Sequence, residues 1–593
     1  QSAEYFFVYG QFEEAKRHFY PLYEKYCGKN KWGYNAWEKL VSMSNFSGNA
    51  AESRSLVEAK SCAFDEESRV AEDSIRTPVR QGVAYLDARK LFDEAMGMKD
   101  SPERDVKWRG AAAAYKVALA AAPDRDEAPE AAMNGAYAYK QVGEYDKAIA
   151  MYTLFISKYG DEKTLQKLKK DDPARYEERV KFLGGAYDAL AGSYVLFFDY
   201  PKAAETFDGI AAIEHFPQAT RKNAAKQSLL LYVNLDDAAG MARARKRYAA
   251  LGATEEELSE ADFMIASAAL KKWAPESPDT GGNKQARLAA QQAMENYYTV
   301  NKNRKSAARY AVQAAYQVAV SKRAGKASDT DQWWSTTIAA FDRYLAAAPQ
   351  SGGKSTAIGT TEASMAAEAD YTLLDQELKR TFDYESGFHR YKGTVLEVVA
   401  QYTKDAQTAK VWYDKLQRIV DRYVSQKWAT VAIARQGSVY DSLRTGLYNT
   451  RPPELKMFTE AQEKALKAAE GSDNDDLIDK ADQVRTQVND AWRKKRDTEL
   501  DGADRIAVDR YASAVMLAQR YNLSAPQVTR AIRRLAFLTD VTGEAKMAEY
   551  TAANKELGYK SGMFQRMRPG VVVPPTTEGL PPAAPPKAAG EAK

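Results

Sequence analysis

The stretch Ala131-Ala132-Met133-Asn134-Gly135-Ala136-Tyr137-Ala138-Tyr139, followed by Gly143, Tyr145, Ala148, Tyr152 and Phe155, decides the fold. Apolar residues recur at helical spacing on both sides of Gly143, which reads as two helices joined by a tight turn. Gly135 and Ala136 leave room for the second helix, Tyr139 fills the space beside them, and Gly143 supplies the positive φ that ends the first helix. Asp146 is expected to cap the second helix. Ala148 is expected to be its small contact residue, with Tyr152 and Phe155 facing the next unit.

Outward from that unit the register returns. Upstream, Gly10, Phe12, Ala15, Phe19 and Leu22 hold corresponding places, then Trp37, Leu40, Gly48 and Val57 more loosely, then Ala111, Tyr115, Ala118, Leu119 and Pro123. Ala111 and Ala148 are 37 residues apart. Downstream, Tyr187, Leu190, Ala191, Tyr194, Tyr200, Ala203, Phe207 and Pro217 repeat the pattern after an insertion carrying the charged run Lys163 to Arg179. These units, over residues 1–220, resemble the tetratricopeptide repeat (TPR) family, whose period is about 34 residues. The resemblance implies an all-α, right-handed α-solenoid of TPR-like hairpins.

Beyond residue 220 the match thins. Phe341, Tyr344, Leu345 and Pro349 read as one more second helix, while Val411, Tyr413, Leu416, Ile419 and Tyr423 keep helical spacing without the turn signature. Loops are expected at Pro275 to Lys284 and at Ser351-Gly352-Gly353-Lys354. Long charged helices are expected over 453–510, with a turn at Gly471 to Asp476. Ser524 is expected to cap a helix that has Pro526 in its first turn. The resulting divisions are a TPR solenoid at 1–275, divergent helical repeats at 285–452, charged helices and terminal hairpins at 453–565, and a Pro/Ala-rich tail at 566–593. That tail cannot build a core and is expected to be extended, a tether or a ligand for another domain. Gln1 stands only a few residues before Phe6, an aromatic expected late in a first helix, so the chain is expected to open inside a helix whose earlier residues precede it.

Composition narrows the function. Lys and Arg number 85 against 81 Asp and Glu, intermixed along the helices, so no nucleic-acid footprint is expected. The basic cluster Arg493-Lys494-Lys495-Arg496 reads as a solvated helix face. No continuous apolar run reaches the length of a membrane span. Cys27 and Cys62 lie in the first two hairpins; they would pair in an oxidising compartment, and two unpaired, partly buried thiols are the plainer reading.

Chemistry is scarce. His18, His215 and His389 have no metal-ligand spacing, and neither a Gly-rich phosphate loop nor a nucleophile elbow occurs, so no catalytic, metal or cofactor residues are assigned. Asp383-Tyr384-Glu385-Ser386-Gly387-Phe388 imitates the opening of a periplasmic lytic transglycosylase. The segment after it, His389-Arg390-Tyr391-Lys392-Gly393-Thr394, lacks the groove-forming sequence that such an acid requires. Glu385 is therefore read as a helix-start acid.

By the TPR resemblance, the inward-looking positions are Met133, Tyr137, Lys140, Gln141, Asp188 and Val195, the candidate partner-binding face. Met133 and Tyr137 stand where carboxylate-clamp co-chaperones need Lys and Asn, which argues against that role. Ala-rich helices, the aromatic run Tyr152-Thr153-Leu154-Phe155 and the Pro/Ala-rich tail are similar to periplasmic TPR subunits of bacterial envelope machines, including outer-membrane assembly and the myxobacterial gliding-motility complex. That likeness implies a non-enzymatic scaffold with protein partners. The alternatives are a cytosolic peptide-binding adaptor and, remotely, a superhelical cell-wall lytic enzyme.

Overall fold

A computed structural model describes residues 1–382 and 391–567, and among these the chain is all-α, with 25 α-helices. Two pairs of two-residue strands complete it: Gln350–Ser351 with Lys354–Ser355, antiparallel, and Gly393–Thr394 with Leu455–Lys456, parallel. The chain divides into two compact units, Gln1–Ala268 and a second from Ala269 onward. Residues 383–390, with Glu385 and His389, and the Pro/Ala-rich tail from residue 568 onward lie outside the described residues, while Arg566 ends the short helix Met563–Arg566.

The first unit is a succession of helical hairpins, each packed on the one before and the one after. The helix pairs are Ser2–Val8 with Phe12–Tyr26, Lys31–Phe46 with Ala50–Glu58, Glu66–Gly97 with Pro102–Ala121, Ala128–Gln141 with Tyr145–Tyr159, Pro173–Leu196 with Tyr200–Ala212, and Gln218–Leu235 with Ala238–Ala250. The charged insertion forms its own helix, Glu162–Asp171. Gly10, Gly48 and Gly143 turn three of these hairpins at φ of 71°, 68° and 73°. Phe198 and Asp236 take the same left-handed conformation in the fifth and sixth, at 61° and 58°. Once flanking helices fix the turn, the geometry survives the loss of glycine at a modest local cost.

Packing follows the small-and-large logic of the quoted stretch. A methyl group added at Gly135 would displace the flexible Met151 Cε and lie 3.2 Å from Tyr115 Cβ, so glycine lets these helices meet closely without either side chain yielding. Ala148, Tyr152 and Phe155 are buried. Tyrosine suits these hairpins because its ring is buried while its hydroxyl finds a carbonyl. Tyr85 donates to Ala122 O at 2.8 Å and Tyr159 to Pro123 O at 2.7 Å, so both pin the turn between the third and fourth pairs. One expectation fails: Asp146 lies inside the first turn of Tyr145–Tyr159, whose N-cap is Glu144 with no side-chain cap bond. The tight turn after Gly143 leaves no residue to spare, and Asp146 acts there only as an acid near the helix N-terminus.

Cys27 and Cys62 form a disulfide, which corrects the reading of two free thiols. The pairing has a structural cause. Glu72 accepts from the Cys62 and Ala63 amides, both at 3.0 Å, while Arg76 donates to Glu72 at 2.8 Å, to Ala59 O at 3.0 Å and to Lys60 O at 3.1 Å. This buried pair folds the 59–63 connection back onto the helix Glu66–Gly97 and holds Cys62 where its Cα is 4.4 Å from that of Cys27.

The second unit opens with the helices Gly281–Asn301, Ala308–Ala324 and Thr330–Ala347, the last burying Trp334 and Phe341. Residues 281–284 belong to the first of these helices, not to the expected loop, which ends at Thr280. Gly352 and Gly353 make the turn of the small strand pair at positive φ. Around the helix Gln426–Tyr448 the unit closes on itself, packed against Thr361–Thr381, Val395–Tyr423, Asp475–Arg520 and Pro526–Thr542.

Residues 430–444 of that central helix are buried without interruption, charged side chains included. Each buried charge has a partner. Arg435 binds Asp375 at 2.7 Å, Arg444 binds Asp504 at 2.8 Å, and Asp441 accepts from Arg534 Nε and Nη2, each at 2.6 Å, and from the Tyr511 hydroxyl at 3.1 Å. Burial pushes the Asp504 carboxyl up to about 6, with Arg444 opposing and Asp441 adding to the rise. Pro526 stands at the start of its helix as expected, but the N-cap is Ala525, not Ser524.

Candidate functional site

The six positions of the expected inner face fall on two helices of the first unit, Ala128–Gln141 and Pro173–Leu196. Met133 is half-buried against the core, and Lys140 and Val195 are half-buried too. Gln141 and Asp188 reach the surface, and partial desolvation of the Asp188 carboxyl raises its pKa. Tyr137 is 38% exposed and does not stand free. Its ring centroid lies 5.7 Å from Trp108 and 6.0 Å from Phe92, and Phe92 also meets Trp108 at 5.1 Å and Tyr115 at 6.1 Å. The aromatic edge of Tyr137 thus caps a cluster shared by two hairpins, leaving its outer part for contact.

A groove of 430 Å³ opens between the second helices of two successive pairs, Pro102–Ala121 and Tyr145–Tyr159. Leu119, Tyr139, Met151 and Leu154 contribute apolar surface, and Lys116, Lys147 and Lys158 are the charged residues that line it. Lys147 donates to Glu144 at 2.7 Å, which holds its ammonium pKa above the ordinary value, and its nitrogen lies 5.5 Å from the Tyr139 ring. Lys158 is 3.1 Å from Asp124, while Lys116 is exposed. Since Lys147 and Lys158 already pair with Glu144 and Asp124, the slot's apolar floor is what it offers, and it suits the apolar face of an amphipathic segment of another protein. Sequence reasoning missed it because the TPR likeness directs attention to first helices. Lys147, Ala150, Met151, Leu154 and Lys158 do share one helical face by their three- and four-residue spacing, a signal that was readable.

The second unit has a wider groove of 1000 Å³, lined by residues that include Tyr413, Tyr440 and Tyr550. Its charges are largely paired within the chain: Arg510 with Asp509 at 2.7 Å, Lys410 with Asp414 at 3.1 Å, and Arg505 with Glu549. Among the described residues no group of three His, Cys, Asp or Glu is placed to hold a metal ion. His18 stacks on Phe6 at 5.5 Å and His215 packs edge-on against Phe216 at 5.0 Å, both as aromatic contacts. No described helix is long and apolar enough to cross a membrane. No protein-family model and no curated protein matches the chain in sequence.

Proposed function

We propose that this chain is a non-enzymatic scaffold whose TPR-like hairpins form a right-handed α-solenoid, and that it works in the bacterial periplasm as a subunit of a multiprotein envelope complex of the motility or outer-membrane assembly type. Two features support a scaffold: hairpins that pack on their sequence neighbours, and grooves whose residues suit peptide segments better than small-molecule chemistry. The observation that carries the compartment is the Cys27–Cys62 disulfide, since such bonds persist in oxidising surroundings and are rare in the cytosol. The Pro/Ala-rich tail would reach a further partner and raise its effective concentration.

Gentle crosslinking in native cells, followed by fractionation and mass spectrometry, tests this reading. Recovery from the periplasm with outer-membrane proteins and with Cys27 and Cys62 oxidised supports it. Recovery from the cytosol with both thiols reduced replaces it by the peptide-binding adaptor, and release of muropeptides from purified wall replaces it by the lytic enzyme. Two variants then assign the working face. Tyr137→Ala removes crosslinks if the inner face binds, whereas Lys116→Glu with Leu154→Glu removes them if the lysine-edged groove does.

A further inference from the structure

The helix Asp475–Arg520 is 46 residues long, and its two ends are covered differently. Toward its C-terminus, Ala503, Ala507, Val508, Tyr511, Ala514 and Val515 are buried. Toward its N-terminus it is braced by the helix Glu460–Glu470, where Arg485 binds Glu463 at 3.0 Å and also pairs with Glu470, and Ala481 and Trp492 are buried. On another side of this same half, Leu477 and Val484 are 43% and 41% exposed, and Ala491 is exposed as well. These three stand seven residues apart, the spacing that keeps side chains on one narrow stripe of a helix.

Charge is arranged around that stripe in an ordered way. Asp475, Asp476 and Asp479 open the helix, and Arg493, Lys494, Lys495 and Arg496 follow the stripe's far end. At about 100° per residue, Asp476, Lys480, Asp490 and Lys494 all fall along the same flank of the stripe. All four are exposed.

We propose that this stripe pairs with the same stripe of a second copy of the chain, the two helices running antiparallel and crossing at Val484. Turned about Val484, one helix sets Leu477 against Ala491 of the second copy and Val484 against itself. The same turn brings Asp476 beside Lys494 of the second copy and Lys480 beside Asp490, so the flank is complementary along its length. A parallel pairing would set this flank against the opposite flank of the second copy and forgo these charge contacts. Two-fold symmetry makes each contact off the axis occur twice, and Lys494, whose neighbours Arg493 and Arg496 pair with Asp490 and Asp497 of their own helix, gains an acid in the opening turn of the other copy.

Sedimentation velocity on the full chain, from about 1 to 100 µM at low ionic strength, reads the association directly, and a concentration-dependent rise in sedimentation coefficient is expected within that range. Val484→Lys should weaken it at least tenfold with helix content unchanged by circular dichroism, because Val484 is exposed. Lys494→Asp should weaken it about tenfold by setting like charges together, and the double variant Asp476→Lys with Lys494→Asp should restore it. The inference is overturned if the wild-type chain is monomeric throughout, if Val484→Lys associates like wild type, or if the double variant is no tighter than Lys494→Asp. It is equally overturned if the monomeric chain binds anionic vesicles through Lys494, which would make the basic cluster a phosphate site.

Discussion

The helix Ala128–Gln141 of the first unit and the helix Gln426–Tyr448 of the second are both central to their surroundings, and they are built on opposite principles. Ala128–Gln141 buries alanines, a glycine and a tyrosine, and leaves Lys140 and Gln141 toward its exposed end. Gln426–Tyr448 buries Arg435, Gln436, Asp441 and Arg444 along with its apolar residues. The first arrangement is held by fit, which is tolerant of charge changes and intolerant of added volume. The second is held by matched charges, where removing one partner strands the other in a medium that cannot solvate it.

The largest test of this contrast is Arg444→Met, which leaves Asp504 buried and unpaired. It should cost about 3–5 kcal/mol. Hydrogen exchange should accelerate in the helices of the second unit and not in Ala128–Gln141; loss of protection in both would break the comparison. Next in size, reducing the Cys27–Cys62 bond should remove about 2–4 kcal/mol. The loss should read out in the first two helix pairs as lowered protection of Phe12–Tyr26 and Lys31–Phe46.

Gly135→Ala should cost up to about 2 kcal/mol, the 3.2 Å approach to Tyr115 Cβ outweighing the helix propensity that alanine gains while the Met151 terminus swings aside. Its effect on thermal unfolding should be matched by no substitution of similar size at an exposed position of the same helix. The pH dependence of the second unit sharpens the contrast further. Asp504 titrates near 6 in the folded chain, above its ordinary value, so the fold favours its protonated form. The penalty of burying its charge is present above pH 6 and fades as pH falls through it. Between pH 7 and pH 5 this group alone should therefore add about 1.4 kcal/mol of stability, measured by urea unfolding at each pH and abolished in Asp504→Asn. Smallest is Ser101→Ala, which removes the bond from the Arg104 amide at 3.2 Å that caps Pro102–Ala121 and should cost about 1 kcal/mol.

How far the sequence carried follows the same division. In the first unit the turn glycines, Gly135, Ala148 and the buried aromatics were legible because each is dictated by local geometry. Phe198 and Asp236 were not, since nothing in their side chains demands a left-handed backbone. The disulfide was legible only as a possibility: Glu72 and Arg76, which place Cys62, have the look of ordinary surface charges of a helix until the connection is seen to fold back onto them. In the second unit, Val411 to Tyr423 was recognisable as helical. The burial of Gln426–Tyr448 was hidden, because Arg435, Asp441 and Arg444 imitate a solvated face unless their partners Asp375, Arg534 and Asp504, from 60 to 93 residues away, are known. The expected inner-face residues were placeable on their helices, while the lysine-edged groove depends on two second helices lying side by side.

The helix Glu66–Gly97 runs for 32 residues, about 48 Å of helical rise, with Pro78 in its interior. At its middle Arg80 holds Val57 O at 2.8 Å and Arg125 reaches back to Pro78 O at 2.9 Å, and near its end Glu94 accepts from Lys107 at 2.6 Å. Neighbouring hairpins are thereby bolted to one beam. A pull on the amino-terminal end would be carried past them as along a strut, and they would give way together as a single mechanical element instead of peeling off one at a time.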